Sequence, residues 1–168
     1  MVQRASSYAT VPQENYATPS WVVDALFKYE DFVTPIWEPA AGDGFMVEAL
    51  QAHSTNIIAT SDNFFDLEHD AFSIITNPPF SKAEDFCYHA LDNTVRLGGK
   101  VAMLLPVNFD TAKSRHRLFK GQPFKIKYIL TERIRWANLE QKKNGPSTNH
   151  CWMVWDWSYR GEPRIWWI

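Results

Sequence analysis

Apolar positions along the chain form short runs that alternate with helical spacings, a pattern typical of an α/β protein. The short runs predict strands at 35–38, 57–61, 72–76, 100–105, 126–131 and 150–157. The helical spacings predict helices at 19–29, with Ser20 as the N-cap, at 44–53 and 83–94, and a short basic helix at 114–120. We expect one domain over residues 1–168, with a flexible start at 1–13 and a mobile loop at 137–149.

The most informative motif is Asn77-Pro78-Pro79-Phe80, which ends the apolar run at 72–76. The side-chain oxygen of Asn77 and the carbonyl of Pro78 can both accept hydrogen bonds from one NH2 group. Pro79 has a fixed φ and no N–H, which holds the neighbouring carbonyl in place. Phe80 offers a flat face on which a ring can stack. The motif therefore predicts a site for a planar amine, and a Pro-Pro turn with Asn as a turn residue is the structural alternative.

A second motif, Ile-Trp-Glu-Pro-Ala-Ala-Gly-Asp-Gly, lies upstream at residues 36–44. An apolar strand ends in Glu38, a turn of small residues that includes Ala40 follows, and a helix begins. Gly42 and Gly44 allow positive φ and close approach of a ligand at the carboxyl end of the strand. The spacing is not that of a dinucleotide or triphosphate loop, and the acid would repel a phosphate. A ligand that carries an ammonium or sulfonium group fits this turn, although an ordinary β-to-α turn is also possible.

Together these motifs resemble S-adenosylmethionine-dependent amino-methyltransferases, above all DNA adenine methyltransferases whose cofactor motif precedes the catalytic one. Those enzymes carry a Phe/Tyr-x-Thr-Pro element before the cofactor strand, which Tyr16-Ala17-Thr18-Pro19 matches. The resemblance covers residues 14 to 110 and, more loosely, the C-terminal hairpin. The chain resembles the compact members of this family from phages or prophages, which have no separate target-recognition domain. It implies a Rossmann-like methyltransferase fold, with a mostly parallel seven-stranded sheet, helices on both faces and a C-terminal antiparallel hairpin at one edge.

The resemblance also implies S-adenosylmethionine as the cofactor. An acid that follows the second strand, as Asp62 does, can bind both ribose hydroxyls, and a cap or turn role is the alternative. The family usually has a further strand and an adenine-contacting acid next, but here only residues 63–71 are available. Asp66 is the candidate for the adenine amine, with Phe64 or Phe65 against the ring, and core packing is an equal alternative for the aromatics. The expected cofactor residues are Tyr16, Thr18, Pro19, Glu38, Ala40, Gly42, Gly44, Asp62 and Asp66.

Charge is distributed unevenly along the chain. Residues 1–107 contain 5 Lys/Arg and 14 Asp/Glu, whereas residues 108–150 contain 10 and 3. A basic block of this kind suits phosphate neutralisation, although a solvated face is the better interpretation for any single lysine. The block comprises Lys113, Arg115, Arg117, Lys120, Lys125, Lys127, Arg133, Arg135, Lys142 and Lys143. We expect Lys113, Arg115, Arg117, Lys120, Arg133 and Arg135 to contact nucleic acid. In resembling enzymes an aromatic near Trp136 holds the extruded base against the catalytic ring, and simple packing is the alternative.

The remaining composition excludes several classes of protein. Cys87 and Cys151 lack metal-binding spacing, so we expect buried thiols, no metal, and no cysteine-based attack on cytosine. No signal-peptide pattern and no membrane-length apolar run is present, which predicts a cytoplasmic protein without membrane contact. Only residues 108–150 are left to contact nucleic acid, so target recognition would be short, loose or supplied by a specificity partner. We expect a monomer or a weak dimer.

The expected function is methyl transfer to the exocyclic amine of adenine in DNA, with Asn77, Pro78, Pro79 and Phe80 as catalytic residues. The base must leave the stack to reach Asn77. In resembling enzymes the same motif also serves guanine amines in ribosomal RNA, adenine in RNA and glutamine side chains in release factors, so RNA and protein substrates stay open. An inactive methyltransferase-like nucleic-acid-binding protein is a further alternative, which the shortened segment 62–71 favours.

Overall fold

In a computed structural model, which describes residues 16–137 and 148–168, helices pack on a seven-stranded sheet. The strands are β1 Ile36–Glu38, β2 Ile57–Ala59, β3 Ser73–Thr76, β4 Lys100–Pro106, β5 Phe124–Ile129, β6 His150–Asp156 and β7 Arg164–Trp167. The helices are α1 Ser20–Phe27, α2 Phe45–Gln51, α3 Ala83–Val95 and α4 His116–Phe119. The predicted flexible start at 1–13 and residues 138–147 of the predicted loop lie outside the described residues.

The sheet has the strand order β2-β1-β3-β4-β6-β5-β7. Strands β1 to β4 are mutually parallel, β6 is antiparallel to both β4 and β5, and β7 is parallel to β5. Pro106 at the end of β4 pairs with His150 at the start of β6. The carboxyl ends of β1, β3 and β4 and the start of β6 therefore lie together at one end of the sheet.

Alternate strand residues feed two separate cores, one on each face of the sheet. Ile36 and Ile75 pack with α1 and α2 on one face. Trp37 and Ile74 pack with α3 and α4 on the other. Because successive side chains of a strand point to opposite faces, these fully buried pairs fix which face each helix covers.

The α/β interpretation and the late antiparallel pair are confirmed, but the expected position of that pair at a sheet edge is wrong. Strand β7 lies outside β5 and was not predicted. Its side chains are exposed on both faces, with Trp166 at 57% and Trp167 at 62%, so it lacks the alternation that identifies a half-buried strand. At the other edge, no strand lies beyond β2 among residues 16–137 and 148–168, and β2 is followed by a short 3-10 turn, Phe64–Asp66.

Two helix details also differ from the predictions. Pro19, not Ser20, occupies the N-cap of α1, and no side chain caps the helix there. The predicted basic helix is split into a 3-10 turn, Lys113–Arg115, and the single turn of α4. Neither difference moves a residue of the motifs described above.

An ionic cluster is buried at the end of the sheet opposite the Asn77 motif, where β4 and β5 begin and β6 ends. Glu30 accepts hydrogen bonds from Lys100 Nζ at 2.8 Å, Lys125 Nζ at 2.9 Å and the Tyr128 hydroxyl at 2.8 Å. Asp156 Oδ2 lies 3.6 and 3.4 Å from the two ammonium groups. Burial raises the pKa of Glu30, but the hydrogen bonds from the two lysines outweigh it and hold that pKa below its usual value. Both oxygens of this buried carboxylate are thus satisfied.

Candidate active site

A cavity of about 530 Å³ lies at the carboxyl ends of β1 and β3, bordered by both sequence motifs. Its size is within the range of small-molecule sites. Among the predicted cofactor residues it is lined by Tyr16, Thr18, Glu38, Ala40, Gly42 and Asp62. Pro19, Gly44 and Asp66 are not among its lining residues, whereas the catalytic candidates Asn77 and Pro79 are. Segments that are distant in sequence therefore share one concave site.

Asn77 follows β3 directly, and two neighbours fix the orientation of its side-chain amide. Its Nδ2 donates to the Tyr16 carbonyl and to Thr18 Oγ1, both at 3.2 Å. Because a carbonyl can only accept, the nitrogen must face Tyr16 and the oxygen must point elsewhere. Asn77 Oδ1 is buried and has no hydrogen-bond partner among the described residues. The side chain thus presents an unused acceptor, a costly feature in a site without a ligand.

The rest of the motif supports this acceptor. Pro79 has φ −54° and its carbonyl accepts from the Lys82 N–H at 2.9 Å, which begins a 3-10 turn. That bond uses the Pro79 carbonyl, so the Pro78 carbonyl is the candidate for a second acceptor. Pro78 is buried, and Phe80 is partly buried beside the cavity and not in its lining.

Glu38 ends β1 inside the protein, where it is 1% exposed. Its Oε1 accepts from the Ala40 N–H at 2.8 Å and from Thr76 Oγ1 at 2.6 Å. Burial raises the pKa of Glu38 to about 8, and the two hydrogen bonds oppose this only in part. A buried acid that gains no fixed positive partner from the described residues is suited to a cationic ligand.

The turn after Glu38 needs its two glycines for backbone reasons. Gly42 has φ 49° and Gly44 has φ 85°, both in the left-handed region. A Cβ on Gly44 would meet no atom within 4 Å, so the position requires glycine for its φ rather than for close packing. Gly44 is also the N-cap of α2, whose first turn follows it.

Three polar residues follow β2, namely Asp62, Asn63 and Asp66, and only two of them line the cavity. Asp62 and Asn63 line the cavity. Asp66 is hydrogen-bonded by Asn63 Nδ2 at 2.7 Å and does not line it. Phe64 is 2% exposed and packs edge-on against Trp37, so it is a core residue. It also forms part of the cavity wall.

Four aromatic side chains form a closed ring next to Asn77. Tyr16 stacks on Phe80 with centroids 5.4 Å apart, and Phe80 stacks on His150 at 5.8 Å. Trp136 completes the ring, at 5.2 Å from both Tyr16 and His150. We call these four residues the aromatic ring cluster. Trp136, which is 4% exposed, lies opposite Phe80 in the cluster and packs against Tyr16 and His150.

A backbone contact holds two sides of this cluster together. The Ala137 N–H donates to the Ala17 carbonyl at 3.1 Å, so the segment after Ile134 lies along the segment that carries Tyr16 and Thr18. The same segment supplies both acceptors for Asn77 Nδ2. The segment 16–18 therefore contacts both Asn77 and the segment that contains Trp136.

The basic block separates into exposed and internal residues. Lys113, Arg117, Lys120, Arg133 and Arg135 are exposed. Lys142 and Lys143 lie outside the described residues. The expectation that the whole block is a phosphate-facing surface is wrong for Lys127, which is 7% exposed, and for Lys125, which is bonded to the buried Glu30. Arg115 is partly exposed.

The internal members take part in ion pairs. Lys125 belongs to the Glu30 cluster, and Lys127, 7% exposed, donates to Asp110 Oδ2 at 2.7 Å. Arg115 lies over the Phe109 ring at 4.1 Å and contacts Glu84 at 3.3 Å. Lys125 and Lys127 are internal because acids from distant parts of the chain, Glu30 and Asp110, lie against them. The local sequence does not show such a partner.

Sequence reasoning missed several residues that the fold brings to the site. Asn63, Lys82 and Phe86 line the cavity, and His150 completes the aromatic ring cluster. Lys82 and Phe86 follow the catalytic motif closely, which was a usable signal. His150 had none, since a lone histidine at the start of a distant apolar strand is most often a core residue.

Other chemistry is restricted among residues 16–137 and 148–168. They hold no cluster of three or more His, Cys, Asp or Glu that could bind a metal ion. Cys87 and Cys151 are buried free thiols, and burial raises the pKa of Cys151 to about 12. No helix in these ranges is both long and apolar enough to cross a bilayer.

No protein-family model matches the sequence, and no match is found among curated proteins. Solved structures do match the fold. A proposed RNA methyltransferase from Pyrococcus horikoshii has a TM-score of 0.55 at 15% identity, over 85% of this chain and 86% of that one. A proposed class I S-adenosylmethionine-dependent methyltransferase from Listeria monocytogenes has a TM-score of 0.53 at 9% identity, over 89% of this chain and 62% of that one.

A third similar structure is the modification subunit of a proposed type I restriction enzyme from Vibrio vulnificus. Its TM-score is 0.53 at 16% identity, over 91% of this chain but only 46% of that one. The chain thus spans about half the length of the Vibrio protein. These likenesses confirm the fold predicted from the sequence: the chain has the Rossmann-like fold found in S-adenosylmethionine-dependent methyltransferases.

Proposed function

We propose that the protein transfers a methyl group from S-adenosylmethionine to the exocyclic amine of adenine in DNA. The observation that carries this proposal is Asn77 Oδ1, a buried acceptor with no described partner, on a side chain that lines the cavity. An amide oxygen in that state is suited to a ligand NH2 group. Similar structures that are named as an RNA methyltransferase and as the modification subunit of a type I restriction enzyme support the reaction class.

The cavity fits the proposed cofactor. Glu38 would face the positively charged methionine end, with Thr18 and the Gly42 turn beside it. Asp62 would bind the ribose hydroxyls, and Phe65, rather than Asp66, is the better placed wall for the adenine because only Phe65 lines the cavity. The bound cofactor supplies an electrophilic methyl group, and the described residues would orient it toward Asn77.

The chain's own residues contribute to the reaction by accepting hydrogen bonds from the target amine. An aromatic amine is a weak nucleophile because its lone pair is delocalised into the ring. Two acceptors on its hydrogens, Asn77 Oδ1 and the Pro78 carbonyl, favour the localised lone pair of the transition state more than the planar ground state. The two hydrogen bonds from Asn77 Nδ2 hold the acceptor in place before the substrate arrives. The site therefore lowers the barrier by orientation and electrostatics.

The target base must leave its stack to reach this site. We assign Phe80 and Trp136 the two faces of the extruded base, as the resemblance implies. Tyr16 and His150 contact both of these rings, so they would have to move apart to admit the base. The exposed residues Lys113, Arg117 and Lys120 would contact phosphates without reading sequence. Arg133 and Arg135, close to Trp136 in sequence, would contact the strand next to the extruded base.

Methylation of an RNA base amine is the second candidate, because the Pyrococcus protein, matched over 86% of its length, is named for RNA. The Thr-Pro element that positions Asn77 favours DNA, since the resemblance associates it with DNA adenine methyltransferases. We further propose that the protein works in the cytoplasm of a phage-infected or lysogenic cell, as a monomer or weak dimer, with sequence choice loose or supplied by a partner.

The proposal is tested by incubating the protein with tritium-labelled S-adenosylmethionine and DNA, RNA or protein in parallel. The expected result is tritium in DNA, recovered as N6-methyladenine after hydrolysis. Label only in RNA or in protein glutamine would contradict the DNA assignment and keep the chemistry. Calorimetry with the cofactor, run on the same preparation, separates an inactive binding protein from one that binds no cofactor at all.

A further inference from the structure

A second cavity, of about 650 Å³, lies on the face of the sheet that carries α3 and α4. The segment 110–119, the start of β5 and the residue before β7 form it. Its lining includes Asp110, Lys113, Arg117, Phe119, Phe124 and Pro163. None of its lining residues lines the cavity at Asn77. The second cavity is therefore a separate concave site.

Two aromatic side chains give the second cavity an apolar wall. Phe119 of α4 and Phe124 of β5 meet edge to face, with centroids 4.9 Å apart and ring planes at 89°. Both are partly buried, and Trp155 packs against them at 5.8 and 5.3 Å. The core beneath thus fixes the two rings, and a fixed aromatic wall is suited to a flat ring of a ligand.

Basic side chains border the same cavity. Lys113 and Arg117 line it, and both are exposed. Arg115, which lies between them in the sequence, does not line it and contacts Glu84 at 3.3 Å and the Phe109 ring at 4.1 Å instead. Two cations at one border are suited to neutralising a phosphate.

The cavity also contains an acid with one unused oxygen. Asp110 Oδ2 accepts a hydrogen bond from Lys127 Nζ at 2.7 Å, so a buried lysine neutralises this carboxylate. Asp110 Oδ1 is buried and has no hydrogen-bond partner among residues 16–137 and 148–168. An unsatisfied buried acceptor costs stability, and an N–H donor of a ligand would satisfy it.

A nucleotide carries one group for each of these three features. A bare inorganic anion would use the two cations and leave the aromatic wall empty, and an aliphatic ligand would use the wall and leave the cations and the acceptor. We propose that the second cavity binds one nucleotide. Its phosphate contacts Lys113 and Arg117, its base packs against Phe119 and Phe124, and an N–H of the base donates to Asp110 Oδ1.

The source of the nucleotide rests on the proposed function, whereas the site itself does not. Ser114 Oγ and Arg115 Nε both contact Glu84 Oε2 at 3.3 Å. Glu84 is in the first turn of α3, which directly follows the 3-10 turn Phe80–Lys82 of the catalytic motif. A strand with its target base at Asn77 is thus the favoured source, and a free mononucleotide has the same chemistry.

The first test uses the parent protein and two probes that differ only by the base. Deoxycytidine monophosphate (dCMP) is compared with deoxyribose 5-phosphate, by NMR shifts of backbone amides. The cytosine base avoids the adenosine for which the other cavity is proposed. We expect dCMP to shift the amides of residues 110–119 and to bind at least about 5-fold more tightly, because the base adds stacking. Equal affinities, or shifts confined to other residues, would overturn the proposal.

Variants then assign the two halves of the ligand. Phe119→Leu or Phe124→Leu should weaken dCMP binding by about 5-fold or more and leave deoxyribose 5-phosphate unchanged. Phe32→Leu is the control, because Phe32 is a partly buried ring on the other face of the sheet. Combining Lys113→Ala with Arg117→Ala should weaken both probes, whereas Lys28→Ala, at an exposed lysine outside the basic block, should weaken neither. Equal losses in the test and control variants would contradict the assignment.

A second test separates the two sources. Single-stranded oligonucleotides with one adenine carry one abasic nucleotide, moved stepwise along the strand, and their affinities are measured. One abasic position should weaken binding to the parent by about 5-fold or more, with little further loss in Phe124→Leu, as in a double-mutant cycle. Binding of dCMP without such a position would assign the site to free nucleotides and overturn the strand as its source. Neither assay measures methyl transfer, so failure of the proposed function leaves both results interpretable.

Discussion

The two ends of the sheet hold buried polar groups in opposite states. At one end, Glu30 is bonded by Lys100, Lys125 and Tyr128, and its pKa is held below the usual value. At the other end, the buried acid Glu38 has a pKa raised to about 8, and Asn77 Oδ1 has no described partner. The first cluster is complete within the chain, whereas the second is not.

This difference separates structural from functional polar groups in one molecule. A satisfied buried cluster fixes the packing of β4, β5 and β6 and offers nothing to a ligand. A group left unsatisfied in a folded protein costs stability, so the unsatisfied Asn77 Oδ1, on a side chain that lines the cavity, indicates that a ligand completes it. The comparison predicts that substitutions at the first end act on stability and substitutions at the second act on binding and turnover.

The largest expected effect on stability is at the first end. Glu30→Ala leaves Asp156, which is farther from both ammonium groups, as the carboxylate that neutralises Lys100 and Lys125. It should lower the free energy of unfolding by about 3–5 kcal/mol. Chemical denaturation monitored by tryptophan fluorescence measures it. Asp24→Ala is the control, because its ion pair with His53 is half exposed and should be worth about 0–1 kcal/mol. Equal losses in both variants would contradict the structural role of the Glu30 cluster.

At the second end, Asp62→Ala should weaken S-adenosylmethionine binding by about 1–3 kcal/mol, through loss of charge-assisted hydrogen bonds to two hydroxyls. Asp66→Ala is the matched control. It removes the same charge four positions along, from a residue that is exposed and does not line the cavity. Calorimetric titration of both variants measures the difference. If Asp66→Ala weakens binding and Asp62→Ala does not, the cofactor role predicted for Asp66 is right and that of Asp62 is wrong.

Glu38 should make cofactor binding depend on pH. Its folded-state pKa is raised to about 8 from a reference value of 4.5, so the folded protein holds the proton more tightly than the unfolded chain. Stability should therefore fall as pH rises from 4.5 to 8. A cationic ligand needs the carboxylate, so its affinity should rise with pH over the same window, by up to about tenfold per unit.

Glu38→Gln retains an oxygen for Ala40 and Thr76 but has no charge to lose. Its affinity for the cofactor should be lower than the parent's at pH 8 and should lack the parent's rise. Titrations at pH 6, 7 and 8 compare the two proteins and cancel the ionisation of the cofactor itself. Parallel pH profiles would show that Glu38 does not ionise on binding.

The smallest effect per substitution is expected on nucleic-acid affinity, at the charges of the exposed basic surface, so three of them are changed together. Neutralising Lys113, Arg117 and Lys120 together should lower nucleic-acid affinity and reduce its salt slope by about 0.7–0.9 for each phosphate that is no longer neutralised. Lys28 and Arg160, exposed but outside the basic block, provide the control substitutions. A triple variant with the parent's salt slope would mean that this surface is only solvated.

The fold and the catalytic motif were predictable because their signals are local. Alternating apolar runs predicted six of the strands. The segments Tyr16-Ala17-Thr18-Pro19, the Gly42 turn and Asn77-Pro78-Pro79-Phe80, taken together in the sequence, each contribute residues to the lining of one cavity. Strand β7 was missed because its side chains are exposed on both faces and carry no period. Its place in the sheet comes from pairing with β5, which is a tertiary contact.

The residue positions that the sequence did not predict depend on contacts between distant segments. His150 joins the site only because β6 runs back along β4, and Lys125 becomes internal only because Glu30 lies against β5. The sequence assigned Asp62 to the ribose hydroxyls and Asp66 to the adenine amine, but Asp66 lies in the 3-10 turn Phe64–Asp66 and only Asp62 lines the cavity. Local composition contains none of these long-range pairings.

The most direct measurement is methyl transfer by Asn77→Ala, assayed in single turnover beside a calorimetric titration with S-adenosylmethionine. The variant should lose at least about 10²–10³-fold in the rate of transfer, because the preorganised acceptor for the target amine is gone. Its affinity for the cofactor should stay within about threefold of the parent's, since the Asn oxygen is assigned to the amine and not to the nucleoside. Asn93→Ala, which removes an asparagine of α3 that donates to the His89 carbonyl at 2.9 Å, should behave as the parent. A parent-like transfer rate in Asn77→Ala would contradict the account.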